Sequence, residues 1–140
     1  KMRPDPLKLE NQLCFPLYAA AKEVVKRYRP YLEPLGLTYT QYIAMMVLWE
    51  HKEITVSKMG KLLLLDSGTL TPMLKKMESA GLLTRRRSKE DERELVVTIT
   101  QKGTDLRKEA VRIPGKMASC VALDIEEAAE LKTLLSKLIC

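Results

Sequence analysis

Three cysteines, Cys14, Cys120 and Cys140, are the side chains of this 140-residue chain best suited to covalent chemistry. The thiolate is the reactive form of cysteine. A peroxide takes it to sulfenic acid, which a second thiol traps as a disulfide. No two of the cysteines stand at C-x-x-C spacing, and His51 is the one histidine. That count disfavours a structural zinc site and a dense disulfide framework, and a reducing cytoplasm suits it better. No nucleophile–histidine–acid set, phosphate-cradling glycine loop or metal cluster is legible, and one histidine leaves little general-base capacity. The expectation is a chain that is no enzyme and needs no cofactor or metal. By position alone Cys14 reads first as a plain buried thiol; a redox role is the sharper alternative. Cys140 reads as a frayed terminal thiol, and His51 as a helix-end residue.

A second group of residues suits nucleic-acid chemistry. Ser67, Gly68, Thr69 and Thr71 are small and polar, so the backbone beneath them can approach DNA closely, and Lys75 and Lys76 follow one turn later as phosphate contacts. Arg85, Arg86 and Arg87 form a run, and Arg93 lies a few residues on. An arginine on a thin β-projection can enter a minor groove, which attracts cations most where it is narrow. Asp91, two residues before Arg93, would pair with an arginine and fix the shape of the projection. The bland alternative is a pair of edge strands solvated by their charges. The net charge of +6 favours a polyanionic partner, through release of condensed counterions.

These residues need elements to position them. Apolar side chains from Leu9 to Tyr31 recur at helical spacing, which predicts a long first helix ending near Leu35 and stopped by Gly36, with a kink or late start at Pro16. Thr38 and Gln41 have capping-box spacing for a helix over 39–51. Thr55 caps a short helix over 56–64, and Asp66 or Ser67 caps another that runs to Ala80 and stops at Gly81. Runs of β-like sequence over 83–87 and 95–100, around a charged tip, predict a hairpin. Thr100 caps a helix to about Ile113, broken or bent at Pro114-Gly115, and Asp124 with Glu127 opens a last helix ending at Cys140. The fold class is therefore mainly α with a small β-hairpin. The order helix, short helix, turn, helix, hairpin is that of a winged helix-turn-helix, whose second helix enters the major groove.

With 46% hydrophobic and 30% charged residues, the chain suits one compact domain over 1–140. Residues 38–100 would read DNA. The helices over 7–35 and 101–140 carry apolar faces beyond what that unit needs, and pairing them across a two-fold would make a homodimer addressing a pseudo-palindromic operator. No apolar run is long enough for a bilayer and no signal peptide is legible, so no membrane role is expected.

Asp91-Glu92-Arg93, followed by 95–100 and Gly103, resembles the wing signature of the MarR family of bacterial regulators. The segments 9–15 (Leu-Glu-Asn-Gln-Leu-Cys-Phe) and 65–75 resemble the organic-hydroperoxide-resistance (OhrR-type) branch of that family. The resemblance covers nearly the whole chain. It implies a triangular, mostly helical dimer that represses a gene for a peroxide-destroying thiol enzyme and leaves its operator when an organic hydroperoxide oxidises Cys14. It also implies that Tyr28 and Tyr39, joined by Tyr18, hydrogen-bond the Cys14 sulfur and stabilise its thiolate. An apolar pocket from Phe15, Leu17 and methionines would select organic peroxides. Cys120 lies where some members place a resolving cysteine; others pair the sensor with a small thiol instead. Pro16 departs from the pattern.

Tyr28 lies fourteen residues after Cys14, about 21 Å along one helix, so a Tyr28–Cys14 hydrogen bond would have to come from a second subunit. The competing expectation is a MarR-type repressor released by a small phenolic ligand, with Cys14 incidental.

Overall fold

The computed structural model describes residues 3–139; Cys140 lies outside them. After a single 3-10 turn at Leu9–Asn11, the chain runs α1 (Cys14–Leu32), a 3-10 turn (Glu33–Leu35), α2 (Tyr39–His51), β1 (Glu53–Thr55), α3 (Val56–Leu63) and α4 (Ser67–Ser79). It continues with β2 (Leu83–Arg87), β3 (Leu95–Ile99), α5 (Gln101–Ala110), α6 (Ile113–Cys120) and α7 (Ile125–Ser136).

Local capping explains most of these boundaries. Thr38 and Gln41 form a complete capping box on α2. The Thr55 side chain accepts from Lys58 N, Asp66 from Thr69 N and Thr100 from Gly103 N. Asp124 and Glu127 close a second capping box on α7. Each satisfies backbone donors that a helix start leaves orphaned. Gly36 and Gly81 end their segments at φ 70° and 80°, conformations that glycine adopts without the steric cost a β-carbon brings.

Of the two alternatives at Pro16, the structure takes the late start: the first helix begins at Cys14. Pro16 is then its third residue, where no intrahelical N–H donor is lost. Pro72 is the sixth residue of α4. The helix forgoes one backbone bond there without ending. The predicted helix beyond Thr100 is two helices, α5 and α6, with Pro114 in the first turn of the second. The last helix ends at Ser136.

The hairpin forms as expected, with Leu83 opposite Ile99 and Arg87 opposite Leu95. Sequence reading missed β1, which pairs antiparallel with β3 and gives the order β1-β3-β2. The core lies between the helix-turn-helix and this sheet. It holds Leu32, Tyr42, Met45, Leu48, Met59, Leu70, Leu74, Met77, Leu83 and Val97. Trp49 Nε1 donates to the Gly103 carbonyl at 2.8 Å, tying α2 to α5. A β-carbon at Gly103 would collide with the Leu82 carbonyl oxygen, so only glycine admits this approach.

The two ends of the chain stand apart from that core. No residue of α7 is buried, and Ile125 is 89% exposed. Leu7, Leu9, Leu13, Phe15 and Leu17 at the other end are exposed as well. Among the described residues no helix is long and apolar enough to cross a membrane.

Candidate functional site

The start of α4 and the hairpin tip open onto one cleft of about 720 Å³, lined among others by Ser67, Thr71, Arg93 and Leu95. Asp66 holds the helix entrance by accepting from Thr69 N at 2.8 Å, which leaves Ser67, Gly68 and Thr69 exposed at its mouth. Lys75 and Lys76 are exposed farther along the same helix.

The tip of the hairpin is built from its own polar side chains. Ser88 Oγ accepts from the backbone N–H groups of Glu90 and Asp91. Asp91 Oδ1 in turn accepts from Arg93 N at 3.0 Å and Arg93 Nε at 3.2 Å. The expected Asp91–arginine pair is therefore present and involves Arg93. The Arg93 side chain stays 91% exposed.

The three neighbouring arginines of β2 have separate engagements. Arg85 gives its backbone N–H and both Nε and NH2 to the Glu78 carboxylate of α4, at 2.9, 3.3 and 3.1 Å. With its side chain 19% exposed, it ties the wing base to α4. These bonds hold the Glu78 carboxyl below its ordinary range. Arg86 meets Glu53 of β1 at 2.6 Å across the sheet. Arg87 donates to the Glu92 carbonyl at 3.3 Å. Neither Glu78 nor Glu53 was singled out from the sequence. Their pairing depends on the Gly81 turn and on β1, and no local pattern announces it.

The thiol and tyrosine residues divide into two groups along α1. Cys14 is the first helical residue, unpaired and exposed. Tyr18 lies one turn later, 60% exposed, with Lys22 Nζ 5.2 Å from its ring centre. Tyr28 and Tyr39 do come together, ring centres 4.9 Å apart. They pack around Tyr42, 5.7 and 6.3 Å away, which the sequence reading had not marked. Burial pushes the Tyr28 hydroxyl pKa up, with a smaller contribution from Tyr39. Burial, then Tyr28 and Tyr39, pushes Tyr42 up to about 12. Fourteen residues of straight helix, about 21 Å, separate Tyr28 from Cys14 of the same chain. Of the methionines, Met45, Met59, Met73, Met77 and Met117 are buried in the core of the protomer, and Met46 is exposed. Phe15 and Leu17 do flank Cys14, both uncovered.

Cys120, the last residue of α6, is also unpaired and exposed. Its sulfur lies 3.7 Å from the Tyr31 hydroxyl, and its carbonyl accepts from Arg27 NH1 at 3.0 Å. The hydrogen bond with Cys120, then the charge of that thiol and burial, raises the Tyr31 hydroxyl pKa. His51 ends α2, exposed. Among the described residues no group of histidines, cysteines and carboxylates is placed to hold a metal ion.

Comparison with known proteins agrees with this geometry. The family model for the transcriptional regulators SarA and Rot matches residues 26–110. The organic hydroperoxide resistance transcriptional regulator of Bacillus subtilis is 51% identical over 135 residues, 96% of this chain and 92% of that protein. AbfR, reduced and bound to DNA, is 34% identical with a TM-score of 0.82, covering 98% of this chain and 94% of that one. Disulfide-formed AbfR is 37% identical with a TM-score of 0.68, covering 94% and 93%; AbfR comes from Staphylococcus epidermidis. A wing and a recognition-type helix opening on one cleft, with likeness over nearly the full length, lead to one assignment. This chain belongs to the MarR family of winged-helix transcriptional regulators, in its organic-hydroperoxide-resistance branch.

Proposed function

We propose that this DNA-binding regulator is a homodimeric cytoplasmic repressor, without enzymatic turnover or cofactor, that leaves a pseudo-palindromic operator when an organic hydroperoxide oxidises Cys14. Residues 38–100 read DNA, and the helices on either side pair the subunits. Ser67, Gly68, Thr69 and Thr71 face the major groove, with Lys75 and Lys76 on phosphates. Arg93, shaped by Asp91, enters the minor groove. Arg85 and Arg86 act by fixing the wing to α4 and β1, and Arg87 supports its tip.

One observation carries the sensing reading. Cys14 is exposed at the head of α1 amid uncovered apolar side chains, while the Tyr28–Tyr39 pair stands about 21 Å down the same helix. A second subunit laid against α1 would cover that apolar face and bring the tyrosines of one protomer to the Cys14 of the other. Tyr18 completes the set.

The chemistry balances simply. The Cys14 thiolate attacks the distal peroxide oxygen, the O–O bond breaks, and an alcohol leaves once the alkoxide takes a proton. The resulting sulfenic acid condenses with a thiol, from Cys120 or a small cellular thiol, giving a disulfide and water. Hydrogen bonds from the tyrosines to the thiolate are lost on oxidation. Subunit rotation then spoils the half-site spacing. The relative AbfR has been solved both reduced on DNA and with a disulfide formed, which supports this cycle.

The test is operator release in a gel shift. Cumene hydroperoxide should release the wild-type protein and a dithiol should restore binding, whereas salicylate should not release it. Release by salicylate and not by hydroperoxide would replace peroxide sensing with ligand sensing.

The wing has its own check. Arg93→Ala should weaken operator binding and lower the salt slope of log K by about 1 per protomer, with the dimer intact. An unchanged slope would remove Arg93 from the interface.

A further inference from the structure

The α1–α6 contact holds a cluster that the DNA reading does not use. Glu23, Arg27 and Tyr31 stand at successive four-residue steps, one face of α1. Arg27 Nε meets Glu23 at 3.5 Å, and its NH1 reaches the carbonyl of Cys120 at 3.0 Å. That carbonyl is one of the orphan acceptors at the end of α6, where a cation is favoured. Tyr31 places its hydroxyl 3.7 Å from the Cys120 sulfur. Lys116, one turn earlier on α6, holds its Nζ 5.5 Å from the centre of the Tyr31 ring, within cation–π range. Beyond Cys120 the chain has no secondary structure until α7, and α7 buries nothing. Among the described residues, these are the last hydrogen bonds that tie the C-terminal arm to its own α1.

The grip also fixes where Cys120 stands. Arg27 and Tyr31 lie thirteen and seventeen residues beyond Cys14, about 20 and 25 Å down the helix. A disulfide needs Cα atoms within about 7 Å, so Cys120 held there cannot meet its own Cys14. It does stand level with Tyr28, the place where the proposed dimer brings the other subunit's Cys14.

We propose that Arg27 and Tyr31 are positioning residues for the resolving step: they hold Cys120 beside the site where the other protomer's oxidised Cys14 arrives, so that sulfenic acid is captured between subunits. This rests on the reading of Cys14 as the hydroperoxide sensor. The step is the condensation above: the Cys120 sulfur attacks the Cys14 sulfur, the S–O bond breaks, and hydroxide leaves as water with the thiol proton. Arg27 and Tyr31 take no part in the bond changes. Their contribution is effective concentration.

The test uses the full-length dimer with cumene hydroperoxide and free cysteine as the competing thiol. Intact mass and dimedone trapping follow sulfenic acid, and non-reducing gels follow the covalent dimer. Arg27→Ala and Tyr31→Phe should form Cys14 sulfenic acid at the wild-type rate. They should form the intersubunit disulfide about tenfold more slowly or worse, with the mixed disulfide with cysteine rising in its place. Arg27→Lys, which can still donate to the Cys120 carbonyl, should recover most of the rate. A merely structural role would slow both steps together or neither.

An unchanged disulfide rate and partition in both variants, with sulfenic acid formed normally, overturns the positioning role alone. Absence of sulfenic acid on wild-type Cys14 overturns the sensor reading and this one with it.

Discussion

Cys14→Ser protein will stay on its operator in the presence of cumene hydroperoxide, where the wild type loses about a hundredfold in affinity, near 2.8 kcal/mol. Serine replaces the sulfur with a hydroxyl that a hydroperoxide does not oxidise. It still accepts and donates hydrogen bonds, so the tyrosine contacts of the reduced state remain available. The substitution should leave the fold intact. Residue 14 is the first of α1, it is exposed, and no side-chain cap precedes it, so serine there costs the helix little. Operator affinity without peroxide should therefore match wild type, measured by anisotropy at fixed salt. If the serine protein is released as readily as wild type, the oxidisable group lies elsewhere and Cys14 is only a surface thiol. The companion Cys120→Ser should abolish the covalent dimer on a non-reducing gel. Release would then depend on an added small thiol.

The second large effect concerns the uncovered ends of the chain. α7 has twelve residues and a complete capping box, yet an isolated helix of that length is marginal in water. None of its residues is buried within the protomer, so something outside the protomer must stabilise it. Leu131 and Leu134 remain exposed along it and Leu138 just beyond its end, as do Leu9 and Leu13 at the opposite end of the chain. A second copy offers the same two apolar surfaces, which is what a two-fold interface requires. Leu131→Glu combined with Leu134→Glu should therefore give monomers in sedimentation at micromolar concentration. Operator affinity should fall about 10²–10⁴-fold, since two linked half-site contacts become one. The monomer should keep its fold, because Tyr42, Leu48 and Leu74 are buried and the Trp49–Gly103 bond formed in a protomer in which no residue of α7 is buried. Trp49 fluorescence would report that. A doubly substituted protein that still sediments as a dimer would place the interface elsewhere.

How much of this was legible beforehand follows the range of the interactions. Every helix start that carries a side-chain cap was readable, because Thr38, Thr55, Asp66, Thr100 and Asp124 each meet a backbone N–H three residues away. The hairpin was readable from its period of two and its charged tip. The separation of Cys14 from Tyr28 was readable too, since helical rise converts residue number into distance. β1 was not. Three residues, Glu53–Thr55, carry too little pattern to register, and they become a strand only because β3 lies alongside.

The site divides along the same line. Sequence marked the residues proposed to carry the chemistry: a thiol near the head of the first helix, three tyrosines singled out by the family resemblance, a hydroxyl-rich helix start and a cluster of arginines. Only the tertiary structure decided where each of them stands and what it touches. It bound Arg85 to Glu78 and Arg86 to Glu53 and left Arg93 in the open. It packed Tyr28 against Tyr39 around Tyr42, and it brought Cys120 to Arg27 and Tyr31 across some ninety residues of chain. The reason is physical. A cap or a helical repeat is decided by neighbours within one turn. A contact between distant segments exists only after the core has packed and oriented both, and no stretch of sequence near either partner encodes that meeting.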